Sequence, residues 1–375
     1  MTNSSFLFLG ANRPWTYALA EALAESHYTH ALHFYDWWTY YSLKPSWSQR
    51  TPPSLLKRTM KVFPSGYAGR LEKGFRFYLR SRIQDWCQEL EQLSGEYPWV
   101  IAPEPYLYPW VSKVPSERLI YYNLDDYVLY RPDRKKQILD QEQQLIKRAI
   151  LSLCLSKFQV RTLKTRYPHQ ASQIYHFPLG LVESFLNPQP ENLVEPMTVG
   201  YVGSLGDRLD WQLISQVIQG CPEVTFVFVG GLDGQTMINQ GNWQATRQTV
   251  LTSPNVRHIG KVPSDKVANY YWSFAISWIP YLVNHPFNQA SCPTKIMDSI
   301  ASGRPILSTS VPECCLYPEW IKILDSVEDT ISFIRQELDY SNKHEDHEKI
   351  LKQLKFANQN TWQIRAKTLE QLLIR

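Results

Sequence analysis

Twice along this 375-residue chain, short apolar runs alternate with glycine turns and helical spacing, and this alternation limits the possible folds more than any other feature. Phe6–Leu9 is an apolar run, Gly10–Pro14 a turn, and Tyr17–Glu25 carries apolar residues at helical spacing. Further strand-type runs stand at Ala31–Phe34, Trp99–Ala102 and Leu119–Tyr122, separated by segments long enough for crossover helices. Gln137–Ala149 is helical in spacing and Leu151–Leu155 is strand-like, while Ser156 opens a helix carrying Phe158, Val160 and Leu163. A parallel sheet covered by helices is the expected product.

The pattern then breaks and restarts. Between Phe185 and Pro196, two prolines among polar residues have the chemistry of a linker. After it come strand Thr198–Val202, turn Gly203–Asp207, helix Asp210–Ile218, strand Val224–Val229 and turn Gly230-Gly231. Strands Val256–Ile259, Ala275–Ile279 and Pro305–Ser308, with helices Ser264–Tyr271 and Thr294–Ala301, complete a second α/β unit. A chain of this length exceeds one core, so two domains are expected, 1–185 and 196–355, with hinge motion near Pro178–Glu183. Ligands of parallel sheets bind at the carboxyl ends of strands, so two facing halves predict a site in an interdomain cleft. Trp362–Leu373 is amphipathic, and 356–375 reads as a terminal helix in search of a surface.

Composition excludes several classes. With 43% hydrophobic and 20% charged residues the chain is neither disordered nor fibrous. Its net charge of +4 is too near balance for a nucleic-acid footprint, so no nucleic-acid partner is expected. No uninterrupted run of 18 apolar residues exists, and Met1–Asn12 has no positive region before Phe6–Leu9, which reads as neither spanning nor secreted. The six cysteines have no C-x-x-C spacing, which fits reduced thiols and a cytoplasmic setting.

Two segments can carry chemistry. Tyr201-Val-Gly203-Ser204-Leu-Gly206-Asp-Arg208 joins a strand to a helix, and its backbone N–H groups with Arg208 suit a phosphate. Ordinary turn chemistry with a surface arginine fits the same residues. In Pro293-Thr-Lys295-Ile-Met-Asp298, a helix start lies beside a carboxylate placed to accept from two ribose hydroxyls. A capped helix with a surface acid is the alternative.

The ordered set Tyr201-Val-Gly203, Asn255-Val-Arg-His258-Ile259-Gly260-Lys-Val-Pro263, Trp278-Ile-Pro-Tyr281 and Pro293-x-Lys295-x-x-Asp298-x-x-Ala301-x-Gly303-x-Pro305 resembles the donor half of retaining GT-B glycosyltransferases, family four (glycosyl transferases group 1) type. The resemblance covers roughly 198–310, and the tail near Trp362 is similar to that family's last helix, which crosses back onto the N-terminal domain. It implies an α/β GT-B architecture of two facing Rossmann-like domains with a nucleotide-diphosphate sugar, UDP- or GDP-linked, as donor substrate. Carried over, Arg208 takes the diphosphate and Asp298 the ribose, Gly203 and Ser204 line the sugar-phosphate, and His258–Val262, with Ile259, holds the base edge. Lys295 joins this donor-binding set. The family often has two glutamates separated by seven residues, whereas this chain has Ala290 and Asp298. Asn284, His285 and Asn288 are candidate substitutes, and spacing does not choose among them. Basic side chains and helix dipoles can neutralise the phosphates, so no metal and no further cofactor is expected.

In the first half, Tyr121-Tyr-Asn-Leu-Asp125-Asp126-Tyr127 follows a buried strand, and Asp125 or Asp126 is the candidate catalytic acid, with a cap or turn role as the alternative. Between Lys57 and Arg82, eight basic residues face one acid with aromatics interleaved. That suits docking on an anionic bilayer, at about 1 kcal/mol per charge, or a solvated basic face. Trp37, Trp38, Tyr40, Tyr41, Trp47, Tyr106, Tyr108 and Trp110 are candidate sugar-stacking rings, and Glu104 lies just past a strand end. The expected function is transfer of a sugar to a glycan or lipid-linked glycan acceptor in cell-surface polysaccharide assembly, at a peripheral membrane location. An inactive partner subunit of the same fold and a sugar-nucleotide epimerase are the rival readings.

Overall fold

Consecutive strands of this chain are separated by segments too long for hairpins, and every ladder between named strands is parallel. The computed structural model describes residues 4–36, 52–62, 72–187, 194–232, 236, 241–339 and 347–374, with the backbone alone at 36 and 72–75. It divides into two units, Met1–Gly180 with Trp362–Arg375, and Leu181–Thr361.

The first unit holds β1 (Ser5–Phe8), β2 (Tyr28–Asp36), β3 (Leu55–Val62), β4 (Trp99–Ala102), β5 (Leu119–Asn123), β6 (Leu151–Cys154) and β7 (Ile174–His176), in the order β3-β2-β1-β4-β5-β6-β7. β1, β5 and β6 are buried at every position, as strands covered on both faces must be. Leu7, Leu119, Tyr121 and Cys154 from these strands join Leu32, Trp110, Leu145 and Leu163 in one core. Ser156 caps the helix Lys157–Arg166 by accepting from Gln159 N at 3.1 Å. The strand order reverses between β1 and β4, so the loops leaving these strands part to opposite faces and open a crevice at their carboxyl ends.

The basic stretch 57–82 is not one face. Leu55–Val62 is an edge strand that buries Leu55, Met60 and Val62, and its Lys57, Arg58 and Lys61 are the charges that keep an open edge from pairing with another sheet. Residues 63–71 lie outside the described set, and the helix Glu72–Ser94 follows. Arg58 pairs with Glu89, Arg80 donates to Pro109 O at 2.7 Å, and Arg82 pairs with Asp85 at 3.2 Å.

The second unit orders β8 (Glu195–Val202), β9 (Thr225–Val229), β10 (Val256–Gly260), β11 (Phe274–Ile279), β12 (Ile306–Ser308) and β13 (Ile321–Ile323) as β10-β9-β8-β11-β12-β13. Its reversal lies between β8 and β11. Asp210 caps the helix Trp211–Gly220, accepting from Leu213 N at 2.9 Å. Tyr201, Trp211, Phe226, Phe228 and Trp278 are core here, which accounts for part of the aromatic content.

The unit boundaries differ from those the linker chemistry suggested. The change falls at Gly180/Leu181, before the prolines, because Leu181 and Phe185 are buried in the second core and Trp272 Nε1 donates to Phe185 O at 3.3 Å. The return falls at Thr361/Trp362 and not at 356: the helix His347–Asn358 belongs to the second unit, where Ala357 is buried. Leu181 N donates to Asn360 O at 2.8 Å, so within the second unit the two crossing strands of chain lie side by side. The last helix, Trp362–Ile374, packs against the helix Pro14–Leu23, with His27 Nε2 2.9 Å from Glu370 Oε1.

Candidate functional site

The crevice of the second unit lies at the carboxyl ends of β8 and β11, and side chains from four segments meet there. The turn after β8 begins at Gly203, with φ at +146°, a conformation that side chains rarely adopt. A Cβ at Gly203 would lie 2.6 Å from Lys295 Nζ, so the missing side chain is what lets an ammonium sit directly against this turn. Behind it, Gly230 approaches so closely that a Cβ would lie 1.9 Å from Gly203 O. Gly203 N donates to Val229 O and Leu205 N to Gly231 O, at 2.8 and 2.9 Å, which ties the β8 and β9 turns together.

Lys295 is the first residue of the helix Lys295–Ala301. Its ammonium lies 5.2 Å from the Tyr201 ring centre and 5.5 Å from that of Tyr281, and the Arg208 guanidinium lies 5.3 Å from Tyr281 on its own approach. Tyr281 thus stands between two cations. Burial raises its phenol, but Lys295 and Arg208 more than offset this and hold it below the usual phenol range. Asp298, half-buried in the first turn of the same helix, is pushed up to about 7 by burial, with Lys295 opposing.

Arg208 is held rather than loose. Its Nε donates to Asn288 Oδ1 at 2.7 Å and an Nη to Ser291 Oγ at 2.8 Å. Asn288 Nδ2 donates back to the carbonyls of Arg208 and Leu282, so Asn288 is consumed in fixing Arg208 and is withdrawn as a substitute for an acid at Ala290, itself buried. His285 is also buried. Thr236 Oγ1 gives its one proton to Asp207 Oδ2 at 2.6 Å, so His285 Nε2, 3.1 Å away, donates to that hydroxyl. Asp207, fully buried, also accepts from Thr236 N and so pins the loop after β9 to the turn after β8. Arg247 reinforces the same tie by donating to Leu205 O and Leu232 O at 2.8 and 2.9 Å. Neither Asp207 nor Arg247 stands out in the sequence, because an isolated acid and an isolated helical arginine carry no spacing signal.

The remaining expected donor residues are placed as follows. Ser204 is exposed and its carbonyl accepts from the Tyr201 hydroxyl at 3.1 Å. His258 and Ile259 lie on β10, two strands from the reversal; His258 Nε2 donates to Gly230 O at 2.9 Å and Ile259 is partly exposed. In the first unit, Asp126 takes the cap role: its side chain accepts from Val128 N at 3.1 Å and starts the turn Tyr127–Tyr130. Asp125, half-buried, accepts from Asp126 N and from the Tyr130 hydroxyl at 2.9 and 2.6 Å. Trp110 is core, edge-on to Phe34, and is not a stacking platform. Trp37, Trp38, Tyr40, Tyr41 and Trp47 lie outside the described residues. Among the described residues, no helix is long and apolar enough to cross a membrane.

Two doubly wound domains, the second with lysine, arginine and a carboxylic acid at its strand reversal, define an α/β class in which fixed cations can meet an anionic ligand. Comparison narrows this. Residues 196–324 match the family described as Glycosyl transferases group 1. A Bacillus subtilis (strain 168) protein named as a teichuronic acid biosynthesis glycosyltransferase, TuaH, is 24% identical over 186 residues, which cover 48% of this chain and 45% of that one. The match therefore spans less than half of the relative. Among solved structures, sucrose-phosphate synthase from Thermosynechococcus elongatus aligns with a TM-score of 0.68 at 16% identity, over 98% of both chains. Anabaena HepE, solved in complex with UDP, aligns at 0.66 and 12% identity, also over 98% of both. Residues 196–324 are thus similar to the group 1 glycosyl transferases, and the chain has the GT-B fold of two Rossmann-like domains.

Proposed function

We propose that this protein transfers a sugar from a nucleoside diphosphate sugar, UDP-linked in the first instance, to a hydroxyl of a glycan or lipid-linked glycan, with retention at the anomeric carbon, in cell-surface polysaccharide assembly. The observation that carries the proposal is the pair of cations at one strand reversal, Lys295 under the Gly203 turn and Arg208 locked by Asn288 and Ser291. Fixed cations in a partly desolvated site stabilise a departing diphosphate without reorganising, so the reading needs no metal. Lys295 and Arg208 share the diphosphate contact, with two Arg208 nitrogens held by Asn288 and Ser291 and the Lys295 ammonium bonded to Tyr281. Asp298 in its ionised form accepts the ribose hydroxyls. HepE structures solved with UDP and UDP-glucose support a uridine donor.

For the acceptor side, docking on an anionic bilayer rests on a smaller surface than the whole stretch 57–82. Phe77 and Tyr78, 83% and 50% exposed, project from the start of the helix Glu72–Ser94, while Arg58, Arg80 and Arg82 bond within their own unit. Sedimentation with vesicles with and without anionic lipid tests this part, and equal sedimentation removes it.

The main test is a thermal-shift screen of the full chain against uridine, guanosine and adenosine diphosphate sugars. A ligand at 100 times its dissociation constant adds about 2.7 kcal/mol of stability. Stabilisation by one nucleotide class, followed by sugar transfer to an acceptor extract, is the expected result. No stabilisation by any of them refutes the donor assignment, and conversion of the donor to an epimer without acceptor favours the epimerase reading.

A further inference from the structure

The two cations of the second unit are fixed in different ways. Arg208 is held by the side chains of Asn288 and Ser291, whereas Lys295 carries its charge on a four-carbon stem that loses rotamer freedom when kept in one place. Two buried tyrosines, Tyr201 and Tyr281, stand against its ammonium. The meeting point is Gly203: a Cβ there would lie 2.6 Å from Lys295 Nζ and 3.0 Å from the Tyr201 hydroxyl, so ammonium and hydroxyl flank one spot. The Tyr201 hydroxyl donates to Ser204 O at 3.1 Å, which uses its one proton. It therefore accepts from the Tyr281 hydroxyl, its other partner, and the Tyr281 oxygen accepts from Lys295. One directed chain of hydrogen bonds thus runs from the ammonium through two phenols to a carbonyl of the turn after β8.

Both phenols are anchored through the backbone. Tyr201 lies within β8, paired with Phe228 of β9. Tyr281 leaves β11 with its carbonyl accepting from Thr309 Oγ1 at 2.6 Å. Asp210 N donates to Pro280 O and Leu282 N to Arg208 O, each at 2.9 Å, so Tyr281 is bridged to Leu209, the neighbour of Arg208. Its ring lies within cation–π range of both cations. A protonated phenol holds an ammonium without cancelling its charge, whereas a carboxylate would cancel it. Two of the three ammonium N–H groups stay available to a ligand. Cations fixed beforehand need no reordering when an anion arrives, and that saving appears as affinity.

We propose that Tyr281 and Tyr201 are positioning residues for the donor diphosphate, their hydroxyls holding the Lys295 ammonium against the Gly203 turn. The inference rests on the donor reading of this crevice and adds to it the device that keeps the lysine in place.

The experiment is a double-mutant cycle on the full chain, read as calorimetric affinity for UDP, GDP and ADP, with wild type, Tyr281→Phe, Lys295→Met and the variant carrying both. Phenylalanine keeps the ring, so the packing and the approach to Arg208 remain while the hydroxyl is lost. Tyr201→Phe removes the next hydroxyl of the chain and takes the same place in the cycle if Tyr281→Phe does not fold. The expected result is that Tyr281→Phe weakens binding of the nucleotide about fivefold, and by less than about twofold when residue 295 is already methionine. A tyrosine that only shaped the crevice would weaken binding equally with and without Lys295. Such an equal loss, or wild-type affinity in Tyr281→Phe, overturns the positioning role. A wild type that binds none of these nucleotides strikes the donor reading instead, so the two failures are distinguishable.

Discussion

Replacing Asp298 by asparagine should stabilise the second unit at alkaline pH and do so progressively less as the pH falls. The carboxyl is raised by burial from 3.8 to about 7 in the folded chain, so between these values the native state binds a proton that the unfolded state has lost. Stability therefore declines as pH rises through this window, and ionisation is complete only above it. From pH 5 to pH 8.5 the shift acts over about two units, worth about 1.4 kcal/mol each, or roughly 2.7 kcal/mol in full. Asp298 keeps some exposure and Lys295 lies beside it, so water and the ammonium take part of this, and about 1 to 2 kcal/mol is expected. Asparagine does not titrate, so the difference in unfolding free energy between variant and wild type isolates this one group. Urea unfolding of both proteins at pH 5, 7 and 8.5 measures it. A difference that is constant with pH, or that moves against the variant as pH rises, refutes the account of Asp298. On the proposed ribose role of Asp298, function moves the opposite way: nucleoside diphosphate binding by wild type should tighten as pH rises through 7, and the variant should bind weakly and without this pH dependence.

Lys295→Met should weaken UDP or GDP binding about tenfold or more by calorimetry, the loss of a charge-assisted contact; unchanged affinity would mean that the ammonium only fills the space beneath Gly203. Gly230→Ala and Gly260→Ala both force a side chain into positive φ, at +151° and +79°, but only the first meets backbone, 1.9 Å from Gly203 O. The first should cost about 2 kcal/mol more than the second, as strain plus overpacking, and equal melting temperatures would disprove the back-to-back contact. Arg208→Ala should cost about 2 kcal/mol of stability even without nucleotide, since Asn288 and Ser291 lose their partner; a variant as stable as wild type in chemical denaturation contradicts this. In the first unit, His30 and His33 are buried and held down to about 4, mainly by burial, so their neutral forms favour folding above pH 6.5. That contribution is lost as pH falls from 6.5 towards 4, by up to about 3 kcal/mol for each, and His30→Gln should flatten the acid limb of the unfolding curve.

Apolar spacing and glycine turns in the sequence by themselves determined the layered α/β class, the order of most strands and helices, the helix starts at Ser156 and Asp210, and the Pro293–Pro305 signature. These are local properties, because periodicity reports which face of a segment is buried and a cap reports only its next few residues. The edge strand Leu55–Val62 was masked by its own charges, which serve to blunt the edge yet read as a basic docking face. Only the tertiary structure decided which distant residues meet. β8 lies beside β11, so Tyr201, Tyr281 and Lys295 share one crevice; β1 lies beside β4, so Arg13 reaches Glu104. Strand order is set by long-range pairing and by how crossovers pack, and no spacing along the chain encodes it. The same holds for Asn288, a free amide in the sequence that folding turns into the clamp on Arg208.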